Sequence, residues 1–442
     1  MENLYLALQM ILSLSILVVL HEFGHYLPAK LFKTRVEKFY LFFDPYFSLF
    51  KKKIGETEWG IGWIPFGGYV KISGMIDESM DKEQMQQPPQ PWEFRSKKAW
   101  QRLIIMVGGV SVNFLLGIFI FSMIVFYWGE SYVKNENVAY GMAVDTMGMK
   151  LGLQDGDKVL KVGGVAIEKF NPNLVSKEII INQARTMEVL RNDQVVTVDV
   201  PESMVSEMTK YENKEKSLFY PRFKMNINVV EPGSNAEKAG LKKGDDVIAV
   251  DSTPIAFQHE FKRALQQAKG EVVTVYIKAA NDTLVKKVQV TDKGTIGIAM
   301  SNEGQMTPSV EKFGLGTSFA KGSTLAVGFL GDQLKAFGQI FSGKIKAKDS
   351  LGSVFSIATM FDASWNWRVF WNITASLSIL LAFFNLLPIP ALDGGYVVFL
   401  LWEVITGKVP SDKFMEVVNY AGFILLMGLM IFALGLDISR WF

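Results

Sequence analysis

Four stretches of this 442-residue chain are long and apolar enough to cross the roughly 30 Å hydrocarbon layer of a bilayer as helices. They run over about 4–32, 103–128, 369–390 and 417–436. Backbone inside lipid must satisfy its own hydrogen bonds, so these runs fix the fold class: a polytopic α-helical membrane protein with four transmembrane helices. A content of 49% hydrophobic residues agrees. The first run has the apolar core of a signal peptide, but no cationic region precedes it and no small-residue cleavage site follows, so it reads as retained. Between the first two runs lie Lys30, Lys33, Arg35, Lys38, Lys51, Lys52, Lys53, Lys97, Lys98 and Arg102. The positive-inside rule makes that loop cytoplasmic. The N-terminus and the long segment 129–365 then face outward, and the loop near Lys408–Lys413 is cytoplasmic again.

The net charge of +2 gives no ground for a nucleic-acid partner. The chain has no cysteine, which excludes disulfides, thiolate metal sites and thiol nucleophiles. Any metal must be held by His, Asp or Glu. Of the three histidines, His21 and His25 lie in His21-Glu22-Phe23-Gly24-His25. Their i, i+4 spacing puts both imidazoles on one helix face, where they can ligate one zinc ion. Glu22 stands off that face and can take a proton from a metal-bound water as general base. Ionisable groups at the edge of an apolar run are costly unless paired or liganded, and a metal site offsets the cost. The competing reading, an accidental motif or an interfacial anchor, leaves that cost unanswered.

Catalytic zinc takes three protein ligands. His259 belongs to the outward segment, and the better third donor is Asp393, in Asn385-Leu386-Leu387-Pro388-Ile389-Pro390-Ala391-Leu392-Asp393-Gly394-Gly395. Pro388 and Pro390 must unwind the third span, and unwound backbone at membrane depth is tolerated where it lines a hydrated site. Gly394 and Gly395 allow close approach to a metal. In the alternative reading the segment is an ordinary interhelical turn and Asp393 an N-cap.

Inside the outward segment, Gly152-Leu153-Gln154-Asp155-Gly156-Asp157-Lys158-Val159 repeats as Gly240-Leu241-Lys242-Lys243-Gly244-Asp245-Asp246-Val247, 88 residues on. Each copy feeds an alternating strand, Val159–Val162 or Val247–Val250, and looks like a PDZ domain. The piece 306–365 has helical periodicity and reads either as a membrane-surface connector or as a plain linker.

In its HExxH and NxxPxPxLDG motifs the chain resembles the site-2 protease family of intramembrane zinc metalloproteases, in particular the PDZ-containing bacterial branch. The resemblance covers nearly the whole chain. It implies an N-terminal membrane half (1–128) with the HExxH helix, a membrane-associated β-hairpin and the second span. Two tandem α+β PDZ domains follow (129–215 and 216–305), then a connector (306–365) and a C-terminal membrane half (366–442). It also implies one Zn²⁺ held by His21, His25 and Asp393, with Glu22 as base. The hairpin, formed by Tyr46–Lys52 and Glu58–Ile64, leads into Gly67-Gly68-Tyr69-Val70-Lys71, whose edge could hold a substrate backbone extended. Gly67 and Gly68 are therefore candidate substrate-binding residues, as is Asn385, for which helix packing is the alternative. The family's GPxxN pattern appears as Gly109-Val110-Ser111-Val112-Asn113, without its proline, which leaves the local geometry and the role of Asn113 open. The implied activity is hydrolysis of peptide bonds within or near transmembrane segments. Its substrates would be membrane proteins, such as a cleaved anti-sigma factor or remnant signal peptides, in a bacterial inner membrane. A catalytically inert PDZ membrane scaffold is the non-enzymatic alternative.

Overall fold

The computed structural model describes residues 2–75, 87–213, 216–278 and 282–441. The chain forms two compact units: Met1–Glu130 with Lys312–Phe337 and Leu351–Phe442, and Ser131–Glu311 with Gly338–Ser350.

Among the described residues the first unit contains four helices long and apolar enough to cross a membrane, Leu4–Leu31, Ala99–Trp128, Trp367–Leu386 and Lys413–Arg440. Large apolar side chains such as Leu115, Phe119, Leu425 and Ile431 stand exposed on these helices, as hydrocarbon surroundings permit and water would not. The third helix stops at Leu386, two residues short of Pro388, because a proline forces its predecessor out of helical conformation. The second helix is the hub, packing on the first and third helices and on the short helix Asp393–Thr406. Small residues let it do so. A methyl group on Gly24 would lie 2.5 Å from the Gly108 carbonyl oxygen, so the first and second helices meet backbone to backbone. Buried hydroxyls tie the third helix to both neighbours: Ser13 Oγ lies 2.9 Å from Thr374 Oγ1, and Ser378 Oγ donates to the Asn113 carbonyl at 2.7 Å.

The expected hairpin is present as β2 (Phe50–Ile54) and β3 (Thr57–Ile61), and it belongs to a larger sheet than the sequence suggested. With β1 (Val36–Phe43) and β4 (Ile64–Ile72) the order is β2-β3-β1-β4. The β1–β3 pairing is parallel and β1–β4 antiparallel, so β4 is an edge strand. The Phe43-Asp44-Pro45 segment anchors that edge. Tyr69 on β4 donates to Asp44 Oδ1 at 2.8 Å, and its ring stacks on Tyr40 at 5.3 Å. Residues 76–86 of the loop that follows lie outside the described residues.

The second unit holds the repeat. The first copy has a sheet of Val165–Ala166, Lys158–Val162, Thr186–Arg191 and Gln194–Asp199 in that spatial order, with the helix Pro172–Ile180. In the second copy Thr253–Pro254, Asp246–Val250, Val272–Lys278 and Thr283–Gln289 follow the same order, with the helix Gln258–Gln267. The turn that revealed the repeat keeps its backbone conformation and its closing hydrogen bond in both copies. Gly152 and Gly240, and likewise Gly156 and Gly244, all have positive φ, which explains glycine at both positions of both copies. Asp157 accepts from Gln154 N–H at 2.9 Å as Asp245 does from Lys242 N–H at 2.8 Å.

Each copy has its own apolar core, one around Val162, Ile179 and Met187, the other around Phe261, Val275 and Val288. Leu218 and Phe219 lie in the first core, because Phe219–Pro221 pairs antiparallel with Met142–Val144. The first copy therefore extends past residue 215. A polar latch joins the copies: Asp155 accepts from Arg263 Nη1 at 2.5 Å and lies 3.2 Å from His259 Nε2, while Arg222 donates to Glu260 at 3.0 Å. Burial works against the Asp155 charge, yet His259, Arg263 and the Val144 N–H hold its carboxyl well below the usual carboxylate range. The 306–365 stretch is helical over Leu315–Phe341, Ala347–Ser350 and Val354–Ala358.

Candidate metal centre and active site

His21 and His25 lie in the C-terminal half of the first helix, about 15 Å and 9 Å from its C-terminal end at a rise of 1.5 Å per residue. Both are buried, at 7% and 5% exposure. Their positions depend on the second helix. A methyl group at Gly109 would lie 2.4 Å from His25 Nε2 and 2.7 Å from His21 Cε1, so the bare backbone there makes room for both rings. The same helix meets the far nitrogen of each ring. His25 Nδ1 lies 2.8 Å from the Ile105 carbonyl oxygen, and His21 Nδ1 lies 3.0 Å from Asn113 Nδ2.

Asp393 arrives from the other end of the chain. Past Leu386 the backbone unwinds through Pro388 and Pro390, Ala391 takes a φ of +73°, and a new helix begins at Asp393. Leu392 occupies the N-cap position and no side-chain cap is made, which removes the N-cap explanation of the aspartate. The glycines beside it are required by packing: a methyl on Gly394 would lie 2.2 Å from the Leu387 carbonyl oxygen, and one on Gly395 2.8 Å from that of Ile389. They let the new helix fold tightly back against the unwound segment. A half-buried Arg102–Glu403 ion pair fastens the other end of this helix to the second helix. Gly422 of the fourth helix packs closely on the Pro390 carbonyl.

The three candidate ligands therefore converge. His21 Nε2 and His25 Nε2 are 3.2 Å apart, and Asp393 Oδ2 lies 3.2 Å and 3.3 Å from them. A tetrahedral zinc ion with bonds of about 2.0–2.1 Å spaces its donors by about 3.3 Å. Asp393 Oδ2 is fully buried and makes no properly directed hydrogen bond, despite its closeness to both rings. A buried carboxylate oxygen left in that way is costly unless a cation satisfies it, so these residues fit zinc. Among the described residues no other cluster of this kind occurs, and His259 stands apart in the latch of the second unit.

Glu22 lines the same cavity, of about 360 Å³, together with Gly68, Tyr69, Val70 and Met106. The glycine is again a matter of space: a methyl on Gly68 would lie 2.6 Å from Val18 Cγ1, so β4 presses directly on the first helix. Gly67 precedes it with a φ of +109°. Asn385, in the last turn of the third helix, points its Nδ2 at His21 Nε2 across 3.3 Å. It faces the centre from the third helix. The sequence reading gave no role to Asn113, Ile105 or Gly109. An amide in the middle of an apolar span was the available signal for the first, and a carbonyl oxygen leaves none.

Residues 9–429 match peptidase family M50, and the chain belongs to that family, the site-2 proteases. Among its relatives, a Neisseria meningitidis protein bearing a zinc-metalloprotease name is 28% identical over 456 residues, covering 98% of each chain. Regulator of sigma E protease of Haemophilus influenzae is 26% identical over 453 residues, covering 97% of this chain and 98% of the relative. A Clostridium perfringens protein, also with a zinc-metalloprotease name, is 28% identical over 427 residues and 95% of each chain. Family and fold together define a membrane-embedded zinc metalloprotease.

Proposed function

We propose that this chain cleaves peptide bonds within or beside transmembrane segments of membrane proteins, as an intramembrane zinc metalloendopeptidase. The reading rests on one observation: two imidazole nitrogens and a carboxylate oxygen form a triangle with sides of 3.2–3.3 Å on the wall of a cavity that also holds Glu22. His21, His25 and Asp393 would hold the ion. When bound, zinc supplies a Lewis acid that polarises a carbonyl and lowers the pKa of water to near neutrality.

Glu22 takes the proton of the attacking water and delivers it to the leaving amine. Edge strand β4 pairs with substrate backbone across Gly67 and Gly68 and draws it out of helical hydrogen bonding, which otherwise shields the scissile bond. Asn385, at the rim of the triad, donates its amide to a substrate carbonyl. The two repeats act as PDZ domains outside the membrane and filter substrates by the size of their outer portion. Cationic residues between the first two spans support an inner-membrane orientation with N-terminus and repeats periplasmic and the centre toward the cytoplasm. The name of the Haemophilus relative, regulator of sigma E protease, supports a link to sigma-factor regulation. The substrates proposed on the family resemblance are an anti-sigma factor already shortened by another protease and remnant signal peptides.

The test is detergent purification, zinc quantitation and cleavage of a model transmembrane substrate by native protein and a Glu22→Gln variant. One zinc per chain in both proteins, with turnover only in the native one, is the expected result. Cleavage by Glu22→Gln at the native rate would remove the general-base assignment.

A further inference from the structure

The two histidines of the triad are held differently at their far nitrogens, and the difference singles out one side chain. His25 Nδ1 faces a backbone carbonyl, that of Ile105, at 2.8 Å. A carbonyl only accepts, so the His25 Nδ1 carries its hydrogen and Nε2 is left bare toward the metal position. At His21 the corresponding partner is the Asn113 side chain, with Nδ2 3.0 Å from Nδ1. That amide is fully buried, at 0% exposure, in the middle of the second span. Its oxygen Oδ1 is buried and has no hydrogen-bond partner, so only the contact with His21 fixes which of its two nearly isosteric ends faces the ring, and a half turn exchanges them.

The two orientations have opposite consequences for the ring. With Nδ2 forward, the amide donates to a bare Nδ1, the imidazole hydrogen sits on Nε2, and that nitrogen cannot ligate. With Oδ1 forward, Nδ1–H donates to the amide oxygen and the Nε2 lone pair is free, 3.2 Å from both His25 Nε2 and Asp393 Oδ2. We propose that Asn113 is a positioning residue of the metal centre, whose side-chain oxygen accepts the Nδ1 hydrogen of His21 and so fixes the tautomer and plane of that ring. Its own place is set from the third span, because Ser378 Oγ binds the Asn113 backbone carbonyl at 2.7 Å. The inference rests on zinc occupying the triad.

The experiment compares native protein with Asn113→Leu and Asn113→Asp in detergent. It reads zinc affinity by chelator competition and the melting temperature of each protein after chelation. Leu keeps the branched heavy-atom skeleton and removes the acceptor, so zinc binds about 10–100-fold more weakly while the melting temperature of the chelated protein holds. Asp restores an acceptor in the same place and keeps the affinity within a few-fold of native. Equal zinc affinity in native protein and Asn113→Leu overturns the proposal, as does equal weakening by Asp and Leu. Should Leu prevent folding, Asn113→Ala against Asn113→Asp decides on the same readout. Native protein that binds no zinc fails the protease reading itself, an outcome distinct from the other two.

Discussion

The metal centre and the paired repeats are built by opposite strategies. Each repeat closes its core within one continuous stretch of chain, from Met142 to Phe219 in the first copy and from Met225 to Ile296 in the second. The centre joins residues from both ends of the polypeptide, and its parts touch only because the second helix offers a surface without side chains at Gly108 and Gly109. A repeat can thus fail locally and leave the rest standing. The centre has no local form to fall back on, so small errors in helix packing reach it directly.

The sharpest break between the two regions comes from Asp393→Asn. Losing the only anionic ligand should abolish zinc binding and cut cleavage on the order of 10³-fold or more, equivalent to several kcal/mol of barrier. Limited proteolysis should find the repeats unchanged; a parallel loosening of both regions would contradict the separation. Phe261→Ala is the converse test. Phe261 is 1% exposed in the second core, and its truncation should cost that repeat about 3–5 kcal/mol. Zinc content should stay at the native level.

Gly109→Ala comes next, because its methyl group would meet His25 Nε2 at 2.4 Å. Overpacking should cost about 1–3 kcal/mol and weaken zinc binding through displaced rings. Gly428→Ala, on a helix position with nothing nearby, is the control and should leave both quantities unaltered. Acid should act on the repeats through the latch. The Asp155 carboxyl is depressed in the folded chain, so its contribution is present above the ordinary carboxylate pKa of about 3.9 and is lost as pH falls through the lower folded value. Unfolding of the second unit followed downward from about pH 5 should show this slope, and Asp155→Asn should lack it. Lys161→Met should have the smallest effect, under about 1 kcal/mol, since its 2.9 Å pair with Glu188 is exposed on both sides.

Much of this was legible before any coordinates because several of its signals are local. The His21/His25 spacing needs only helical periodicity. Pro388 and Pro390 announce an unwound segment through their own covalent geometry. The repeat shows itself because glycines at positive φ and the aspartate that closes the turn cannot easily be exchanged. What escaped was set by pairing between distant segments. The hairpin was visible from its turn, but its place in a four-stranded sheet depends on β1, whose parallel pairing with β3 has no turn to mark it. Leu218 and Phe219 carry no mark of the core they enter. Asp393 was ambiguous between cap and ligand until the helix start was found at the aspartate, with Leu392 in the cap position.

The sequence alone determined that this chain is a membrane protein with a helical histidine pair, a broken third span and a twofold repeat. Apolar run length, residue spacing and proline are properties a chain carries wherever it folds. Tertiary structure decided that Asp393 completes a triangle with His21 and His25, that β4 lies on the cavity wall, and that Asn113 stands behind His21. Those facts depend on how closely helix backbones approach. That distance is set where two glycines from different helices meet.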